Sequence, residues 1–230
     1  MIRLPDLCRR LGKDESGLAL LEFAFSLPIF LTMALTGAEL TNYITTRMRV
    51  SQVALQLADN AARIGSGAPI ASKTITEADI NDLLTGAGLQ ASELDLYRKG
   101  RVIISSLEPD TAAGHTGKFM IRWQRCRGSA AHPSGYGVAG ANNLTGIGPG
   151  NKAVPPPNGV AMFAEVFYTY QPLIKTSLSP STTMTETASM MVRDRRDTSD
   201  DTKLANGSNN PNPQHPNGIY KVAGVTASTC

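Results

Sequence analysis

The sequence predicts an α+β protein: a long N-terminal membrane-spanning helix continuing into a soluble domain with an antiparallel β-sheet. Three observations carry this. No charged residue stands between Glu22 and Glu39. Apolar residues keep helical spacing beyond that run as far as Ala61. Four later segments are rich in β-branched or aromatic residues, and helices followed by a run of strands build α+β domains.

At 230 residues the chain has room for one domain with a true core, and its 18% of charged residues falls below the roughly 25% of ordinary globular chains. The shortfall is local, concentrated in one apolar stretch, which points to a membrane segment joined to a soluble body. A net charge of +3 without any long block of Lys or Arg argues against a nucleic-acid footprint. Sparse aromatics, with Trp123 the single tryptophan, give no stacking platform for bases.

Residues 1–17, MIRLPDLCRRLGKDESG, place Arg3, Arg9, Arg10 and Lys13 just ahead of the apolar run. Basic residues stay in the cytoplasm, so this leader is expected inside and the chain beyond Leu40 outside. The run from Leu18 to Leu40 would be about 35 Å long as a helix, enough to cross a bilayer. A secretory signal cut near Thr36-Gly37-Ala38 is the competing reading of the same residues. Glu22 separates the two, since a carboxylate at a membrane-helix centre costs roughly 2.5 to 3.5 kcal/mol and ordinary signal cores avoid one. A plain signal anchor whose Glu22 reaches the headgroups is the simpler alternative.

Gly17 followed by Leu18-Ala19-Leu20-Leu21-Glu22-Phe23 resembles the prepilin peptidase site of the Flp and Tad pilus family. There a glycine precedes the cut and a glutamate is the fifth mature residue. The resemblance makes Gly17 the last leader residue, Leu18 the new N-terminus and Glu22 the recognition and assembly acid. Phe23 stands where the major Flp pilins carry tyrosine, and Leu21-Glu22-Phe23-Ala24 is similar to the TadE and TadG pseudopilins. It implies a pilin-like lollipop architecture. It covers about residues 12–43 at motif level. In physical terms, a cut after Gly17 frees an amine at Leu18, four positions from Glu22 and on the same helical face.

Beyond the membrane, Val50, Val53, Ala54, Leu57, Ala58 and Ala61 extend one helix from about residue 18 to 64, with Pro28 the place for a bend and Gly65 and Gly67 its end. Thr76 as N-cap, Glu77 and Asp79 in the first turn and Ile80, Leu83 and Leu84 as a stripe predict a second helix, stopped by Gly86 or Gly88. Strands are expected at 101–107, 118–126, 160–172 and 183–194. The Gly-, Pro- and Asn-rich stretch between the second and third reads as an exposed loop. The domain limits expected are a leader at 1–17, a transmembrane helix at 18–40, an extracytoplasmic domain at 41–198 and a flexible C-terminal segment at 199–230.

Removal of the leader would discard Cys8 and leave Cys126 and Cys230 in an oxidising compartment, where an even pair is expected to bridge. Gly135-Tyr136-Gly137-Val138-Ala139-Gly140 has the letters of a dinucleotide loop without the strand and helix that such a loop needs, and Gly146 to Lys152 lacks the ending of a phosphate loop. His115, His132 and His215 stand apart in loops without metal-ligand spacing. Glu165, inside the apolar MFAEVFY, is expected at an edge or facing solvent, with a buried functional carboxylate as the alternative. Arg193 to Asp197 reads as a solvated strand end.

No catalytic residues, cofactor or metal are expected, nor a small-molecule substrate or nucleic acid. The expected role is that of a TadE-like pseudopilin in a bacterial inner membrane, single-pass, with its bulk in the periplasm. Its partners would be the membrane, the prepilin peptidase, other pilins and pseudopilins and the Tad inner-membrane platform. The rivals are a secreted or signal-anchored periplasmic binding protein or adhesin, and a periplasmic enzyme.

Overall fold

The computed structural model describes residues 16–68, 71–175 and 181–230. The first fifteen residues, Cys8 among them, lie outside the described residues. The elements in chain order are α1 (Ser16–Arg63), β1 (Ile75–Thr76), α2 (Glu77–Ala91), α3 (Leu96–Lys99), β2 (Gly100–Pro109), β3 (Phe119–Arg127), β4 (Ala161–Thr169), β5 (Thr183–Met191) and β6 (Ile219–Tyr220). Contacts divide the chain into two compact units. One holds α1 as far as Ile44 with the stretch beginning at Pro172, and the other runs from Thr45 to Gln171 and from Ser181 to Cys230.

In the first unit α1 is a helix long and apolar enough to cross a membrane. Leu20, Phe25, Ile29, Phe30 and Met33 are all well exposed, the reverse of a soluble core helix. Pro28 sits within this continuous helix. Among the described hydrogen bonds here, the Thr32 hydroxyl donates to the Pro28 carbonyl at 2.7 Å.

In the second unit α1 changes character, and Val50, Val53, Ala54, Leu57, Ala58 and Ala61 are all buried. Arg63 ends the helix. Gly65 comes next but one with φ +110°, a conformation open to glycine, and the chain turns so that Ser66 and Thr74 bridge.

α2 begins at the expected Thr76, whose hydroxyl accepts the Asp79 N–H at 3.1 Å while the Asp79 carboxylate accepts the Thr76 N–H at 2.9 Å. This is a capping box. The expected stop at Gly86 or Gly88 does not occur, because the helix continues to Ala91. At Gly88 the reason is packing: the Tyr97 ring lies where a side chain would start. That ring is held by its hydroxyl on the Leu84 carbonyl and by the Arg127 guanidinium 5.1 Å above its centre.

The main sheet has the order β3-β2-β4-β5, antiparallel throughout. β1 and β6 form a separate parallel pair, Ile75 opposite Ile219. Side chains alternate along each strand, and both faces of the central pair are buried. Glu186 and Arg125 mark one face. Arg47 of α1 pairs with Glu186 at 2.7 Å, and Glu77 of α2 takes the Arg125 guanidinium with both carboxylate oxygens, so both helices serve this side.

The opposite face carries Leu107, Ile121, Ala161 and Phe163, joined in one buried cluster with Ile147 and flanked by Tyr136, Ala141, Leu144 and Ala153. The stretch expected as an exposed loop, 128–159, is therefore the cover of this face. Apolar side chains there have to be shielded, and close approach replaces regular structure. A side chain at Gly148 (φ +82°) would stand 2.8 Å from the Phe163 ring.

Residues 199–230, expected as flexible, make specific contacts. Ile219 is fully buried, the Tyr220 hydroxyl donates to Asp197 at 2.6 Å, and the Cys126 N–H donates to the Ser228 carbonyl at 2.8 Å. Cys126 and Cys230 form a disulfide, their Cα atoms 4.9 Å apart across 104 residues of sequence.

This packing can be tested at two places. Helix propensity favours Ala over Gly by up to about 1 kcal/mol. Gly86→Ala, with open space around the new methyl, should raise stability in urea titrations, whereas Gly88→Ala should lower it because Tyr97 blocks the site. Replacing both Cys126 and Cys230 by Ser should cost roughly 2 to 5 kcal/mol, and reductant should then no longer shift the denaturation midpoint.

Candidate functional site

Gly17, Leu18, Glu22 and Phe23, the residues expected to direct processing and assembly, occupy the opening turns of α1. All four are exposed, Leu18 at 59% and Phe23 at 58%. Gly17 has no neighbouring atom within 4 Å of where a Cβ would stand. Leu18 and Glu22 lie one turn apart on one face. An amine created at Leu18 would thus share that face with the Glu22 carboxylate.

At the other end of the uncharged run stands Glu39, which bounds that run in the sequence but has no assigned role there. It is only 5% exposed. Within the same unit its carboxylate accepts the backbone N–H groups of Leu173 at 2.8 Å and Ile174 at 3.2 Å.

In the second unit Glu165 overturns the expectation of an edge or solvent-facing position. β4 is an inner strand, Glu165 pairs with Ile103 on one side and Thr187 on the other, and 3% of it is exposed. Its carboxylate accepts the Ser134 hydroxyl and, at 3.1 Å, the Gly135 N–H. The Ser134 oxygen in turn accepts the Tyr136 N–H at 3.1 Å, and His132 stacks on Phe167 with ring centres 4.0 Å apart. Burial raises the Glu165 pKa, and the two hydrogen bonds and the charge of His132 only partly oppose it.

This arrangement ties the covering loop to the sheet. The Gly135 N–H of the dinucleotide-like motif serves the chain's own carboxylate, and Gly137 and Gly140 lie in loop with φ of +123° and +86°. The hydroxyl of Ser134 gives its proton to a carboxylate and sets a turn with its oxygen, as loop clasps do. Ser134, Gly135 and His132 were not singled out together by sequence. The only signal was an acid inside an apolar strand.

Other polar groups also find partners that spacing could not reveal. His115 pairs with Asp110 at 2.6 Å and His215 with Asp201 at 3.7 Å. Asp110 is held below the usual carboxylate range, chiefly by the N–H groups of Asn143 and Ala112. Arg193 and Arg195 are exposed, but Arg196 is 9% exposed and donates to the Ala61 carbonyl at 2.9 Å. The supposed solvated strand end thus places a buried cation on a carbonyl in the last turn of α1. Burial pushes its pKa down to about 10. Among the described residues no group of three or more His, Cys, Asp or Glu could hold a metal ion.

Comparison with protein families, with curated proteins and with solved structures returns no significant match.

The Glu165 clasp sets a pH dependence. With its native pKa raised, the folded chain binds this proton more tightly than the unfolded chain, so its effect on stability becomes less favourable as pH rises from the ordinary glutamate range through the native value. The stability difference between wild type and Glu165→Gln, measured by urea unfolding at a series of pH values, should therefore shift toward the variant across that window and level off above it. Ser134→Ala should cost about 1 to 3 kcal/mol, as expected when a buried carboxyl loses a hydrogen-bond partner.

Proposed function

We propose that the chain is a TadE-like pseudopilin, cut after Gly17 by a prepilin peptidase and acting in assembly of a Flp-type pilus. The observation that carries this is the placement of Gly17 and Glu22. They stand at the opening of one continuous helix whose next turns are apolar and exposed. A leader cut there leaves a mature protein beginning with an unbroken apolar helix, the part that a membrane holds before assembly and neighbouring subunits hold after it.

The roles of the residues come from their chemistry. Gly17 puts no side chain beside the scissile bond. Leu18 supplies the new α-amine, and Glu22 offers it a carboxylate one turn along the helix. In a low-dielectric surrounding such opposite charges attract more strongly than in water. The pairing of Glu22 with an N-terminal amine, its own or a neighbouring subunit's, would set the register in which helices pack. Phe23 adds an apolar ring beside it. In this reading the protein is a single-pass inner-membrane protein with its N-terminus cytoplasmic, and the domain with its disulfide lies in the periplasm.

The test is the N-terminal residue of the membrane-fraction protein from cells with and without active prepilin peptidase. A start at Leu18 that requires the peptidase supports the proposal. A start near Glu39 makes the protein a secreted one, and an intact Met1 in both strains leaves only a signal anchor. Glu22→Ala should lose pilus assembly, scored by sheared filaments, whether or not it is still cut after Gly17. Normal filaments in that variant would remove the role given to Glu22.

A further inference from the structure

We propose that the stretch from Pro172 to Lys175, which follows β4, makes a second contact with the membrane, in which Leu173 enters the headgroup boundary on the periplasmic side and Lys175 reaches lipid phosphates. The proposal rests on the reading of α1 as a transmembrane helix. If residues 18–40 span the hydrocarbon, Glu39 lies at its outer boundary, since their length of about 35 Å matches a core of about 30 Å.

Glu39 is nearly buried while its neighbour on the helix, Leu40, is 51% exposed. Leu173 and Ile174 bring their backbone N–H groups onto its carboxylate. This contact solves two problems of the interface with one interaction. A carboxylate close to hydrocarbon is costly without donors, and loop amides near lipid need partners from the protein itself. With the backbone so engaged, the Leu173 side chain is left 67% exposed. The same unit exposes Leu40 and Ile44 and carries Tyr43, partly buried. Aromatic rings favour the level of the headgroups. Lys175, also exposed, has a stem long enough to lie along apolar surface while its ammonium meets phosphate. Apolar side chains, a flanking cation and a satisfied backbone together fit a lipid surface.

The experiment places one cysteine at a time in the full chain with Cys8→Ser, leaving the Cys126–Cys230 disulfide intact. Leu173→Cys, Phe30→Cys and Val138→Cys are each labelled with an environment-sensitive fluorophore. Each is reconstituted in phosphatidylcholine–phosphatidylglycerol vesicles containing lipids spin-labelled at shallow or deep positions. Phe30 should be quenched by deep labels, and Val138, exposed in the covering loop, should stay aqueous. Leu173 should be quenched by shallow labels at least about twofold more than Val138, as for a side chain seated at the headgroup boundary, and Glu39→Ala should abolish the excess. A Leu173 label that matches Val138 while Phe30 is quenched overturns the proposal and leaves the transmembrane reading standing. A Leu173 label that is blue-shifted but unquenched by any lipid is covered by protein, such as a second copy, and also overturns it. An unquenched Phe30 label removes the transmembrane reading and the proposal with it.

Discussion

A sheet whose inner strands are apolar on both faces has to be covered twice, and the rest of the larger unit answers that requirement. Helices serve the face of Glu186 and Arg125, with ion pairs to Arg47 and Glu77 aligning them. On the other face no α-helix takes that part among the described residues, and residues 128–159 cover it with largely irregular chain and one short 3-10 turn at Pro149–Asn151. The same stretch pairs with the outer edge of β3 at Phe119 and Ile121, while the C-terminal residues reach that edge at Cys126. The disulfide then holds the end of the chain against the strand it protects.

An irregular cover carries a polar difficulty that a helix does not, because its backbone groups lack internal partners. Here they are met from the sheet. The Gln124 side chain donates to the Gly137 carbonyl at 3.1 Å and to the Ser105 hydroxyl at 3.0 Å. Glu165 meets the donors on Ser134 and Gly135. Burying that carboxyl costs desolvation, which raises its pKa, and gives a loop that cannot slide without leaving a buried acid unpartnered.

α1 lives in two environments. Up to Ile44 its large apolar side chains are exposed, and Glu39 is the one buried residue among those described there. From Val50 onward a narrow stripe of Val, Ala and Leu is buried, and Arg196 satisfies a terminal carbonyl. Glutamates bracket the first environment: Glu22 exposed near the start, Glu39 engaged by backbone at the end. In the proposed reading the first waits for an amine and the second fastens a loop at the membrane surface.

Residue periodicity was enough to determine α1 over nearly its full length, the Thr76 cap and all four strands of the main sheet to within a few residues, because these depend on local repeats of 3.6 and 2. The residues from Gly17 to Phe23 could be placed in the opening turns of α1 for the same reason. Periodicity could not say that α2 passes through Gly88, since the reason is Tyr97. Nor could it show that a Gly- and Pro-rich stretch is a cover rather than an exposed loop. Glu165 stood out only as an acid inside an apolar strand, and Glu39 and Arg196 looked ordinary. Their partners lie 31, 134 and 135 residues away, and only the folded chain brings those donors and acceptors together, because burial and pairing of a charge depend on distances that sequence order does not contain.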